Sequence, residues 1–117
     1  MPLGRFLEIS LAATDVAESL AFYESLGFVQ ASVGEAWPHP YAVVTDGRLS
    51  LGLHRADIAS PLPTWVAPSL RARLAALATL DVTIDEARLD DASMHQVLLR
   101  DPSGQPLRLL EARTFSP

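Results

Sequence analysis

The sequence has no cysteine. Disulfides, thiolate metal centres and a cysteine nucleophile are therefore excluded, and a reducing compartment is compatible with the chain. Lysine is absent too, so every fixed positive side chain is an arginine, and no two or three of them build a basic stripe. With a net charge of −5, the chain offers nothing to a phosphate backbone, and nucleic acid is excluded as a partner. No apolar run approaches the roughly 20 residues of a membrane span, and no charged-then-apolar leader opens the chain. A soluble, cytoplasmic protein without a membrane partner is expected. What remains is globular: 117 residues, 49% apolar and 20% charged, enough for one domain with a core.

The most organised stretch is Phe6 to Phe28. Leu7, Ile9 and Leu11 alternate with Glu8 and Ser10, which predicts a strand. Asp15 with Glu18 three residues later reads as a capping box. Val16, Leu20 and Tyr23 fall on one helical face, with Leu26 a turn further, and Gly27 is placed as the stop. A strand-like run from Phe28 to Val33 follows, then a loop with Pro38 and Pro40 on either side of His39. Tyr41 to Thr45 reads as a strand, Asp46-Gly47 as a hairpin turn, and Arg48 to His54 as its partner strand. Leu49, Leu51 and Leu53 share one face of that strand; Ser50, Gly52 and His54 share the other.

Arg55 to Pro63 reads as a linker, after which the pattern recurs. Thr64 to Val66 is a short strand, Ser69 opens a helix carrying Leu70, Leu74 and Leu77, and three strands are expected within Val82–Leu89, Met94–Arg100 and Pro106–Glu111. Asp101-Pro102-Ser103-Gly104 reads as the turn between the last two. The tail after Ala112 is expected to be loose. The two helix starts, Asp15 and Ser69, lie 54 positions apart, as do Leu20 and Leu74. The strand centres Gly52 and Arg108 lie 56 positions apart, and a constant offset with a two-residue slip is what two copies of one strand–helix–three-strand unit give.

The apolar opening strand, the Asp15–Ser19 helix start and Phe22-Tyr23 to Gly27-Phe28 resemble the opening of the vicinal oxygen chelate superfamily: glyoxalase I, bleomycin-resistance proteins and extradiol dioxygenases. Asp101 to Gly104, followed by the Leu-rich strand to Glu111, is similar to that superfamily's closing signature. The resemblance covers nearly the whole chain. It implies an α+β fold in a single domain, residues 1–117, with two βαβββ units at about 5–55 and 62–112 forming a cupped mixed sheet. It also implies a concave cavity and a homodimer.

Metal-dependent members of the superfamily place four ligands on the first and fourth strands of the two units. Carried onto this chain, the positions fall on Glu8, Gly52, a residue near Leu62, and Arg108. Glu8 alone can hold a metal and Arg108 would repel one, so no metal and no other cofactor is expected. A displaced site using His54 with Glu8 is the remaining alternative. Without a metal, two readings stay open for Glu8 and Arg108: an ion pair filling the old site, or Glu8 as acid or base with Arg108 anchoring an anion. Gly52 would let a ligand approach the backbone, and Trp37 and Tyr41 would supply an aromatic wall. For His54 an exposed strand end competes with a place at the cavity rim. His39 reads as a surface loop residue, and His95 shows no partner. No Ser-His-Asp arrangement is legible.

The leading expectation is metal-independent binding of a small organic molecule, as in bleomycin-resistance-like proteins, with Glu8, Trp37, Tyr41, Gly52, His54 and Arg108 as the ligand-binding set. The alternative is a glyoxalase-like lyase or isomerase with Glu8 as acid/base and Arg108 as anchor. A third is a domain that acts only through its dimer surface.

Overall fold

Strand β1 spans Arg5–Ala12 and carries the alternation read from the sequence. Helix α1 follows at Val16–Ser25. The capping residue is Asp15, whose Oδ1 accepts from Glu18 N at 3.0 Å. Gly27 ends the helix with φ at +96°, a conformation that costs glycine nothing. Strands β2 (Val29–Ala31), β3 (Tyr41–Thr45) and β4 (Ser50–His54) complete the first copy. The second copy holds β5 (Leu62–Ala67), α2 (Leu70–Leu77), β6 (Thr83–Arg88), β7 (Gln96–Arg100) and β8 (Pro106–Glu111). The computed structural model describes residues 3–32, 37–90 and 94–111. The tail after Ala112 and the end of the expected run to Val33 lie outside them.

The chain divides into two units. One runs from Glu8 to Leu62; the other takes residues up to Leu7 and those from Pro63 onward. In the first, β2 and β3 pair antiparallel, as do β3 and β4, and β1 lies parallel to β4 with Ser10 opposite Gly52. In the second, β6–β7 and β7–β8 are antiparallel and β5 is parallel to β8, with Thr64 opposite Arg108. Ser10 and Thr64 are 54 positions apart, so the internal repeat holds at the level of strand register.

Each unit covers one sheet face with its helix. In the first, buried Val44, Leu51 and Leu53 meet Ile9, Leu11, Val16, Leu20 and Tyr23. Leu26, expected on the same stripe, is 61% exposed, because α1 ends at Ser25 and the chain turns away. In the second, Ala67, Leu70, Val97, Leu99 and Leu109 form the core, with Trp65 and Leu74 packed on it. Ser69 caps α2 through Ala72 N. The expected linker is shorter than its prolines suggest, since Pro63 sits inside β5.

Candidate functional site

The face of the first unit's sheet opposite α1 carries the chemistry. Period-2 alternation puts Glu8, Ser10 and Ala12 on that face of β1. The pairing then sets Gly52 beside Ser10 and His54 beside Ala12 on β4, and Tyr41 beside His54 on β3. Glu8 is 3% exposed; Ser10 and His54 are fully buried.

These side chains form a connected chain. Ser10 Oγ donates to Glu8 Oε2 at 2.6 Å. His54 Nε2 lies 2.6 Å from the same oxygen. His54 Nδ1 lies 2.8 Å from His39 Nε2. Among the described residues, the polar partners of Glu8 are thus Ser10 and His54. The carboxylate is engaged within its own unit. His54 is no exposed strand end either, and its burial follows from the register that turns it inward beside Tyr41.

Gly52 has a role that the sequence did not reveal. A Cβ placed there would stand 1.7 Å from Glu8 Oε2 and 2.2 Å from Cδ. The missing side chain makes room for the protein's own carboxylate. Aromatic rings surround the chain: Trp37 meets His54 edge-on with centroids 4.5 Å apart, and Tyr41 stacks on His54 at 5.9 Å and 14°. Trp37 is itself buried, 5.5 Å from His39 and 6.3 Å from Tyr41 by ring centroids. Beside them opens a groove of about 560 Å³ lined by residues of β2, β3 and the intervening loop, among them Gln30, Ser32, Trp37, His39 and Tyr41.

The structure therefore brings Glu8, Trp37, Tyr41, Gly52 and His54 together. It adds His39, read from the sequence as a surface residue. One signal for it was available: His39 and Tyr41 share parity along an extended chain, and Tyr41 pairs with His54. Arg108 belongs to the other unit. It is 4% exposed on β8, and its Nε donates to Thr64 Oγ1 at 3.3 Å. His95, for which no partner was legible, has Nδ1 3.0 Å from Glu111 Oε2. Glu111 Oε1 also accepts from Leu70 N at the start of α2.

The donor set does not fit the superfamily's metal. Of the four carried-over positions, Glu8 alone offers a ligand, and its Oε2 is held by His54 and Ser10 at hydrogen-bond distance. Among the described residues, no group of three or more His, Asp or Glu is gathered as a metal centre requires.

The chain has the fold of the vicinal oxygen chelate superfamily, two βαβββ units in an α+β arrangement. No family model matches the sequence, and no curated protein matches it. Solved structures do. A glyoxalase/bleomycin resistance protein/dioxygenase superfamily member from Vibrio splendidus 12B01 is 15% identical, with 91% of this chain and 98% of that chain covered at a TM-score of 0.58. Methylmalonyl-CoA epimerase from Mycobacterium tuberculosis is 14% identical, with 92% and 87% covered at 0.59. A protein from Legionella pneumophila described as an NAD-dependent benzaldehyde dehydrogenase is 16% identical, with 88% and 96% covered at 0.66. Activities this different on one scaffold mean that the likeness carries the fold, and function must be argued from the site.

Proposed function

We propose that this chain binds a small organic molecule without a metal, in the groove of its first unit. The observation that supports this is the groove's construction: Trp37 and Tyr41 form an aromatic wall, and His39 opens onto the buried His54–Glu8 pair. Ligand sites combine apolar walls with a few placed polar groups in this way. Burial of an ion-pairable carboxylate contributes little net stability, so a site with Glu8 and His54 this enclosed is better explained by use than by folding. A homodimer belongs to the same proposal by resemblance, and a cytoplasmic address by the reading of the sequence.

The test is a thermal-shift screen of small aromatic acids, phenols and oxo-acids, repeated with a chelator. A ligand at about 100 times its Kd adds about 2.7 kcal/mol of apparent stability. The expected result is a concentration-dependent rise in Tm that the chelator leaves unchanged and Trp37→Ala removes. A rise abolished by the chelator, or retained in Trp37→Ala, refutes the reading.

Turnover is a second reading, favoured by one observation, the hydrogen-bonded path from Glu8 to the groove. On it the chain is a lyase or isomerase with Glu8 acting through His54. Loss of turnover in Glu8→Gln with ligand binding retained would separate the enzyme from the binder.

A further inference from the structure

Charge is divided unevenly between the two units. The stretch Glu8–Leu62 holds seven of the fourteen carboxylates but two of the nine arginines, Arg48 and Arg55. The whole side-chain charge of −5 therefore falls on the unit that carries the groove, and the other unit balances at zero. Arg48 and Arg55 are both exposed, and neither lines the groove. Among the described residues, the lining holds no arginine and no carboxylate; its polar side chains are Gln30, Ser32, His39 and Tyr41. An anion entering here meets a field of its own sign and no fixed cation to pair with.

Tyr41 has a hydrogen bond to offer. It pairs with His54 across β3 and β4, and its ring stacks on the imidazole, 14° from parallel with centroids 5.9 Å apart. His54 is fully buried and bonded to Glu8, so the phenol ring rests on a fixed platform. The Trp37 ring stands 6.3 Å away at 64°. Among the described residues, none hydrogen-bonds the Tyr41 hydroxyl. A half-buried phenol with a pinned ring and an uncommitted hydroxyl is preorganised to bond a ligand rather than the protein.

We propose that the Tyr41 hydroxyl donates a hydrogen bond to a carbonyl-type acceptor on the bound molecule, and that the groove takes uncharged planar ligands such as carboxamides, lactams and ketones in preference to carboxylates. The inference rests on the groove being a ligand site and narrows what that site takes. Trp37 and Tyr41 suit a flat body, and Gln30 and Ser32 can meet the N–H side of a carboxamide. Tyr41 is thereby the residue that reads the acceptor, and the charge of the unit is what rejects the acid.

Three probes of nearly one shape separate the charges: benzamide is uncharged, benzoate is an anion and benzamidine is a cation without an acceptor. Each is titrated into the parent protein and followed by ¹H–¹⁵N NMR, where the amides of Ala31, Ser32, Tyr41 and Ala42 locate the site and give Kd. Benzamide should shift these amides saturably. Benzoate should bind roughly tenfold or more weakly at low salt, with the gap narrowing as salt screens the field. Tyr41→Phe keeps the ring and its stack and removes the hydroxyl. Its Tm should match the parent's, and its Kd for benzamide should rise by roughly three- to tenfold, as the loss of one neutral hydrogen bond predicts. Its Kd for benzamidine should not change. Benzoate binding as tightly as benzamide, benzamidine alone shifting the amides, or an unchanged benzamide Kd in Tyr41→Phe overturns the proposal and leaves the groove reading standing. So does a benzamidine Kd that rises as much as benzamide's. A lowered Tm in Tyr41→Phe shows the hydroxyl already bonded within the protein and overturns it as well. Failure of all three probes to shift those amides overturns the groove reading together with the proposal.

Discussion

Replacing Gly52 with alanine puts one methyl group where the Glu8 carboxyl stands. The contact distances of 1.7, 2.2 and 2.5 Å to Oε2, Cδ and Oε1 are all below any separation that real Cβ atoms show. The obstacle is the end of a flexible side chain, so the backbone need not move and Glu8 can rotate away. Rotation itself is cheap. Its consequence is the loss of the contacts to His54 Nε2 and Ser10 Oγ, both made by fully buried residues. Hydrogen bonds to a charged group contribute about 1.5–3 kcal/mol each, and the partners left behind are desolvated. A loss of about 3–5 kcal/mol is expected from the two contacts together. With a urea m-value of about 1–3 kcal/mol/M, the midpoint should fall by more than 1 M. Equilibrium urea unfolding is the assay, run as a double-mutant cycle with Glu8→Ala. Once the carboxyl is gone, the three nearest obstacles to the added methyl go with it, and Gly52→Ala should cost much less than it does in the parent. A coupling energy of about 2 kcal/mol or more is the signature. Equal losses in both backgrounds, or a Gly52→Ala variant as stable as the parent, refute the argument.

Two further perturbations test the scaffold. Ser69→Ala removes the side-chain acceptor for Ala72 N at the start of α2 and should cost about 1 kcal/mol, read by thermal unfolding; no change would mean that the Glu111 carboxylate at Leu70 N suffices as a cap. Asp46 has its pKa held below the ordinary carboxylate value, first by the backbone N–H of Leu49 and then by that of Arg48. A depressed folded pKa means that its stabilising effect is present above the ordinary carboxylate pKa and is lost as pH falls through the lowered one. The amides of Arg48 and Leu49 should therefore shift together by NMR below the ordinary carboxylate pKa, and Asp46→Asn should abolish that titration.

Why the fold was legible and the site only partly so comes down to range. Asp15, Gly27, Asp46-Gly47 and Ser69 act on residues within a few positions, and the structure finds each in its expected turn or cap. The strand pairing, which was not read from the sequence, follows the same repeat: Ser10 opposite Gly52 has its counterpart in Thr64 opposite Arg108. Of the partners of Glu8, Ser10 lies two positions away, but His54 lies 46 positions away, where a single step of register would turn its side chain to the other face of the sheet. His39 sits in a loop without periodicity, where sequence pattern has no grip on side-chain direction. Gly52 was read as space for a ligand because an absent side chain does not say what fills the gap. Leu26 was misplaced because helical spacing was extended past the last turn of α1.

The space above Gly52 also restricts how this chain can change by mutation. A donor side chain at position 52 would help rebuild a metal centre, yet it cannot enter while Glu8 points there, and Glu8 is the one metal-competent residue among the four carried-over positions. The first substitution on that route breaks the buried network before any ligand is gained. A substitution at Gln30 or Ser32, which line the groove outside the Glu8–His54–His39 chain, meets no such obstacle.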